Sequence, residues 1–171
     1  MNLILVGYMA SGKSTIGKNI AKVLNYKFID LDKYIEKKEN LSVSEIFSKK
    51  GELYFRKLEN ASLKEIVDNE NNYVLSLGGG TPCFYDAMDW LSAKPNTITI
   101  YLKVDLDTLT MRLLNDKSRP LISHLEKEED VKEFIAKHLF ERSYFYNKAN
   151  YKIDASKDVE EITEHLLFKL F

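Results

Sequence analysis

LILVGYMASGKS, residues 3 to 14, decides how the rest of the chain is read. Its first four residues are apolar and the run stops at Gly7. From Lys13 onward Ile16, Ile20, Val23 and Leu24 recur at helical spacing. The segment between, GYMASGKS (7–14), fits G-x-x-x-x-G-K-[ST] where that spacing has a mechanism, after a strand and before a helix. Glycines let the backbone curl until its N–H groups converge on phosphate oxygens. The helix start adds the positive end of its dipole. Ala10, Ser11, Gly12, Lys13, Ser14 and Thr15 are therefore the candidate nucleotide contacts. Lys13 is expected to reach the β- and γ-phosphates, and the Ser14 hydroxyl to ligate Mg²⁺. The pattern implies a nucleoside triphosphate and leaves the phosphate acceptor open.

Outward from the loop, short apolar runs alternate with helical patterns. YKFID (26–30), YVLSL (73–77), ITIYL (98–102) and YKI (151–153) read as strands. Ser42-Val43-Ser44-Glu45 fits a capping box and opens a helical region expected to run to about Asn69. Leu106, Leu109 and Leu113 mark another helix. So do Val131, Phe134, Ile135, His138 and Leu139, and finally Val159, Ile162, Leu166 and Leu170. This alternation predicts an α/β fold with a parallel sheet covered on both faces. Sites in such sheets form at the carboxyl ends of strands, where Gly7, Asp30, Asp32 and Gly78 fall. FIDLD (28–32) poses a geometric question, because side chains alternate along a strand. Asp30 and Asp32 can serve one cleft only if the chain turns between them. The strand is therefore expected to end at about Asp30 or Leu31. Taken alone, either carboxylate reads first as a helix cap at a strand end.

Bulk properties narrow the class. The 171 residues suit one domain with one core. Net charge is −1, from 25 basic and 26 acidic residues, so no overall field draws in nucleic acid or anionic lipid. The lone cysteine, Cys83, excludes an internal disulfide and suits a reducing, cytoplasmic setting. His124, His138 and His165 show no ligand spacing. The run from Leu3 to Val6 is far too short for a signal core or a membrane span.

Four further features bear on the acceptor. GELYFRKLE (51–59) puts Arg56 and Glu59 on one helical face between Phe55 and Leu58. LGGGTP (77–82) follows a strand, and its glycines suit either close approach to a ligand or a plain turn. SRPLI (118–122) carries Arg119 in an irregular stretch, a candidate closing loop. ERSYFYNKANY (141–151) carries Arg142 on a late helix. Singly, each arginine reads as a solvated charge.

In this order, GYMASGKSTIG, FIDLD, SVSEIF…GE…FRKLE, LSLGGG, RL…SRPL and ER…Y resemble the shikimate kinase family over nearly the whole chain. The resemblance implies transfer of the γ-phosphate of ATP to the 3-hydroxyl of shikimate, in the chorismate route to aromatic amino acids. It implies a three-layer α/β/α fold with a five-stranded parallel sheet of order 2-3-1-4-5. It also implies one kinase domain over 1–171, with a substrate-binding region at about 32–60 and a lid at about 115–128. Asp32 would hold the shikimate hydroxyls and orient or deprotonate the attacking one, and Asp30 would join the Mg²⁺ shell through water. Arg56 and Arg142 would grip the shikimate carboxylate, with Glu59 holding Arg56. Gly78, Gly79 and Gly80 would form the backbone patch against the substrate, Gly79 in direct contact. Arg119 would reach phosphates and substrate from the lid. Arg112 would lie against adenine, bordered by Asp154, Ala155 and Ser156. The resemblance also implies a monomer. Ala10-Ser11 stands where many relatives have a glycine followed by a small residue, a departure expected to be harmless. Two rivals stay open: another small-molecule kinase on this fold, such as gluconate kinase, and a non-catalytic nucleotide-binding switch protein.

Overall fold

The computed structural model describes residues 1–116, 125 and 127–171. The chain opens with β1 (Asn2–Val6), every residue of which is buried. The phosphate loop leads into α1 (Lys13–Leu24), whose Ile16, Gly17, Ile20 and Ala21 turn inward. β2 (Lys27–Asp30) follows, and α2 (Leu31–Glu39) starts at once. The strand therefore ends at Asp30, and its carboxylate caps α2 by accepting from the Lys33 N–H at 3.2 Å.

The expected single helical region is two helices, α3 (Val43–Lys50) and α4 (Glu52–Asn69). The capping box at Ser42 and Glu45 is present as read. The helix breaks at Gly51, with φ 81 and ψ 167, a conformation essentially closed to other residues. The apolar periodicity carries across this break, which is why the sequence reads as continuous.

β3 (Tyr73–Ser76) ends at the glycine run, followed by a 3-10 turn (Thr81–Cys83) and α5 (Ala87–Ser92). Then come β4 (Thr97–Lys103), α6 (Leu106–Leu114), α7 (Glu128–Tyr146), β5 (Tyr151–Asp154) and α8 (Val159–Leu170).

Among the described residues the sheet has five parallel strands in the order β2-β3-β1-β4-β5, as expected. Its register pairs Asp30 with Ser76, Leu5 with Ser76, and Leu5 with Ile100. The carboxyl ends of β1, β2 and β3 are thus level, and their loops open on one edge. Leu3, Ile4, Leu5, Val74, Leu75, Ile100 and Leu102 fill the centre, all fully buried. That burial on both sheet faces gives the near-continuous apolar strands their reason. No helix among the described residues is long and apolar enough to cross a membrane.

Candidate active site

The loop between β1 and α1 holds its shape through unusual backbone angles. Gly12 has φ 90, and Ala10 sits in the left-handed region at φ 61. An L-residue pays about 1–2 kcal/mol there, a conformational cost that Ala10 carries. No side chain caps α1, and its first turn holds no acid. In contrast Asp30, Ser42, Asp105 and Asp158 cap α2, α3, α6 and α8. The start of α1 is therefore left with its positive dipole end toward the loop, as anion binding requires. Lys13 Nζ donates to Gly7 O and Tyr8 O, each at 2.8 Å, and so lies curled over the loop.

A cleft of about 530 Å³ runs from the loop along the strand ends. Ser14, Asp30, Asp32, Gly78, Gly79 and Arg112 are among its lining residues. Both carboxylates of FIDLD face it because the chain turns into α2 between them. Ser14 Oγ donates to Asp30 Oδ2 at 3.1 Å, which puts two hard oxygen donors together beside the loop. Among the described residues no group of three or more His, Cys, Asp or Glu could hold a metal alone. That donor set fits Mg²⁺, which keeps several waters and takes one or two protein oxygens plus nucleotide phosphates.

The Asp32 carboxyl is pushed from its ordinary 3.8 up to about 6. Burial is the main cause, the charges of Asp30, Glu59 and Glu36 add to it, and Lys13 opposes it.

On the far side of the glycine run sits the arginine pair. Arg56 Nη1 donates to Glu59 Oε2 at 2.7 Å, and Arg56 Nε lies 3.5 Å from Glu52 Oε1. The guanidinium lies over the Phe84 ring, 4.3 Å from its centroid. Glu59 is 2% exposed, and its other oxygen accepts from Thr81 Oγ1 at 2.6 Å. A side chain of this charge survives burial because both oxygens are satisfied. A Cβ on Gly80 would come within 2.7 Å of Arg56 Nη2. One on Gly78 would come within 3.0 Å of Glu59 Oε1 and 3.2 Å of Asp32 Oδ1. The glycines at 78 and 80 thus make room for the site's own charged side chains. The Cβ position of Gly79 lies 3.5 Å from Arg142 Nη1, so Arg56 and Arg142 both meet one glycine turn.

Arg112 Nη1 donates to Ala10 O at 3.1 Å and its Nη2 to Ala155 O at 3.2 Å, joining the phosphate loop to the turn after β5. That turn is shaped by Ser156, whose N–H bonds Asp154 Oδ1 at 3.0 Å and whose hydroxyl bonds Asp105 Oδ2 at 2.9 Å. Bonds from the Thr108 hydroxyl and N–H, and then from the Ser156 hydroxyl, hold the Asp105 carboxyl down to about 2. Arg119 lies outside the described residues, as does most of the segment expected to close over the site. Sequence reasoning passed over Thr81, Phe84, Tyr8, His138 and Tyr146. The one signal available was spacing, since His138, Arg142 and Tyr146 recur every four residues on α7.

A phosphate loop in a parallel sheet of order 2-3-1-4-5 defines a P-loop phosphotransferase built like the nucleoside monophosphate kinases. The shikimate kinase family model matches residues 9–170. The chain belongs to the shikimate kinase family. It is 46% identical to the shikimate kinase of Flavobacterium johnsoniae, over 96% of each chain. Among solved structures it resembles the shikimate kinase of Bacteroides thetaiotaomicron, with TM-score 0.92 and 38% identity over 99% of this chain and 98% of that one. It also resembles the Acinetobacter baumannii shikimate kinase in complex with shikimate, with TM-score 0.87 and 29% identity over 99% of this chain and 92% of that one.

Proposed function

We propose that this protein transfers the γ-phosphate of ATP to the 3-hydroxyl of shikimate, giving shikimate 3-phosphate and ADP. The observation that carries this reading is the convergence of Arg56 and Arg142 on the Gly78–Gly80 turn, beside the cleft that holds Asp32 and the phosphate loop. Two planar guanidinium forks suit a carboxylate, and a fixed carboxylate acceptor suits neighbouring hydroxyls. Gluconate is also an anion, but the family match favours shikimate. A non-catalytic switch would have no use for this acceptor side.

In the reaction the 3-hydroxyl oxygen attacks the γ-phosphorus, and the bond to the β–γ bridging oxygen breaks. The electron pair leaves on ADP. Asp32 orients the hydroxyl and takes its proton; a carboxyl raised to about 6 is basic enough to do so near neutral pH. Lys13 swings from the Gly7 and Tyr8 carbonyls to the phosphates and balances charge on the transferring group. Mg²⁺ would supply charge neutralisation between the phosphates, held by Ser14 and, through water, Asp30. Glu59 keeps Arg56 turned toward the substrate carboxylate. Arg112 would wall the adenine. The balanced net charge and lone cysteine support a cytoplasmic enzyme, and the family precedent supports a monomer. A coupled ADP-release assay with shikimate, gluconate and nucleoside monophosphates tests the reading. Turnover with shikimate alone is expected, and no shikimate-dependent turnover overturns it.

A further inference from the structure

Helix α7 carries Arg142 but is weakly rooted in the core. Of its nineteen residues only Val131, Ile135 and Tyr146 are buried, while Phe140 and Tyr144 are 85% and 67% exposed. Phe134 and Leu139 pack against the core only in part, so directional bonds help to fix the helix's rotation and height. Besides the Lys132–Asp107 ion pair to α6 at 2.6 Å, two such bonds among the described residues lie one turn to either side of Arg142. On one side the Tyr146 hydroxyl donates to Gly79 O at 2.6 Å. On the other, the Tyr8 hydroxyl meets His138 Nδ1 at 3.1 Å.

We propose that Tyr8, the second residue of the phosphate loop, is a positioning residue for Arg142, tying the loop to α7 through His138. This rests on the reading of Arg142 as a grip for the substrate carboxylate. Tyr8 is 1% exposed although it sits in a loop otherwise built for a ligand. Its ring lies beneath the Arg142 guanidinium, at 5.7 Å, and meets the His138 ring edge-on at 6.2 Å. Phe134, one turn earlier, also packs on the imidazole, with ring centroids 4.3 Å apart. One loop side chain thus touches two α7 side chains spaced by one turn. Burial pushes the Tyr8 phenol up to about 12, so its O–H stays a donor. Burial and the Arg142 charge lower the His138 pKa, which favours the neutral ring and leaves Nδ1 able to accept. The Tyr8 carbonyl also takes a bond from Lys13 Nζ.

The test is steady-state kinetics on the full chain with Tyr8→Phe, His138→Leu, the double variant, His138→Asn and Arg142→Ala. Tyr8→Phe and His138→Leu should each raise the shikimate KM about fivefold, the worth of one hydrogen bond, with the ATP KM within about twofold. The double variant should be no worse than the worse single, because both changes remove one bond. His138→Asn, which keeps an acceptor near the Nδ1 position, should stay close to the wild-type KM. An unchanged shikimate KM in both single variants overturns the proposal. So does an equal rise in both KM values, which marks a distorted loop, or a double variant whose effects multiply. Should Tyr8→Phe fail to fold, His138→Leu and His138→Asn carry the comparison from outside the loop. Arg142→Ala separates the two levels. If it raises the shikimate KM while the Tyr8 and His138 variants do not, the positioning role alone falls. If it leaves that KM unchanged, the carboxylate-grip reading fails and takes this inference with it.

Discussion

Asp32 is costly to the free protein. Its carboxyl ionises near 3.8 when unfolded and near 6 when folded. Between those values the folded chain keeps a proton that the unfolded chain has released. Stability therefore falls as pH rises from about 4 to about 6 and is level above. Two pKa units correspond to about 3 kcal/mol; residual solvent contact at Asp32 reduces this to about 1–2 kcal/mol. Asp32→Asn should thus abolish turnover yet melt about 2–8 °C higher than wild type at pH 7, the gap closing toward pH 4. Thermal melts across that range check it, and a lower-melting variant at pH 7 would refute it. Gly80 makes a second prediction. Its backbone angles (φ −90) suit any residue, so Gly80→Ala acts through space alone, with a Cβ 2.7 Å from Arg56 Nη2. Displacing that guanidinium should raise the shikimate KM about tenfold and leave the ATP KM alone, as initial-rate kinetics would read. At this scale the sequence was readable at Lys13, whose spacing in the loop has a mechanism, while Asp32 and Arg56 took an expected role only from the resemblance. It was silent on Tyr8 and Thr81, because contacts across 130 or 22 positions leave no local pattern.

Among the elements, β4 runs on through Lys103, while the ends of β1, β2, β3 and β5 were legible because glycine or aspartate stops the apolar run. Helix α5 (Ala87–Ser92) was not, since six residues are too few to show a period. The Gly51 break was hidden by periodicity on both sides, yet it aims α4 and with it Arg56 and Glu59. A Cβ at Gly51 would meet nothing within 4 Å, so Gly51→Ala is strained by its backbone alone. It should cost about 2 kcal/mol, a fall in Tm of about 4–8 °C by calorimetry. An unchanged Tm would mean that the helices rejoin across the break.

For the molecule as a whole, the alternation of strands and helices foretold the parallel sheet, the order of the motifs foretold the family, and only the resemblance to that family implied the strand order. The sequence pointed to a metal only through an oxygen donor next to the loop, Ser14. Since no described cluster can hold a metal by itself, the ion should arrive with the nucleotide. EDTA should therefore abolish turnover while leaving the Tm of the free protein within about 1 °C, in contrast to a structural metal site. A large fall in Tm on chelation would contradict it.

Arg112 has a consequence for how the molecule opens. Its two bonds staple the turn after the edge strand β5 to the loop after the central strand β1, spanning 102 and 43 positions of chain. An edge strand held only by its neighbour frays on its own. Stapled this way, the β5 turn and the phosphate loop form one cooperative unit, so their amides should exchange with deuterium at a common rate. A nucleotide that steadies the loop would then slow exchange at the sheet's far edge as well.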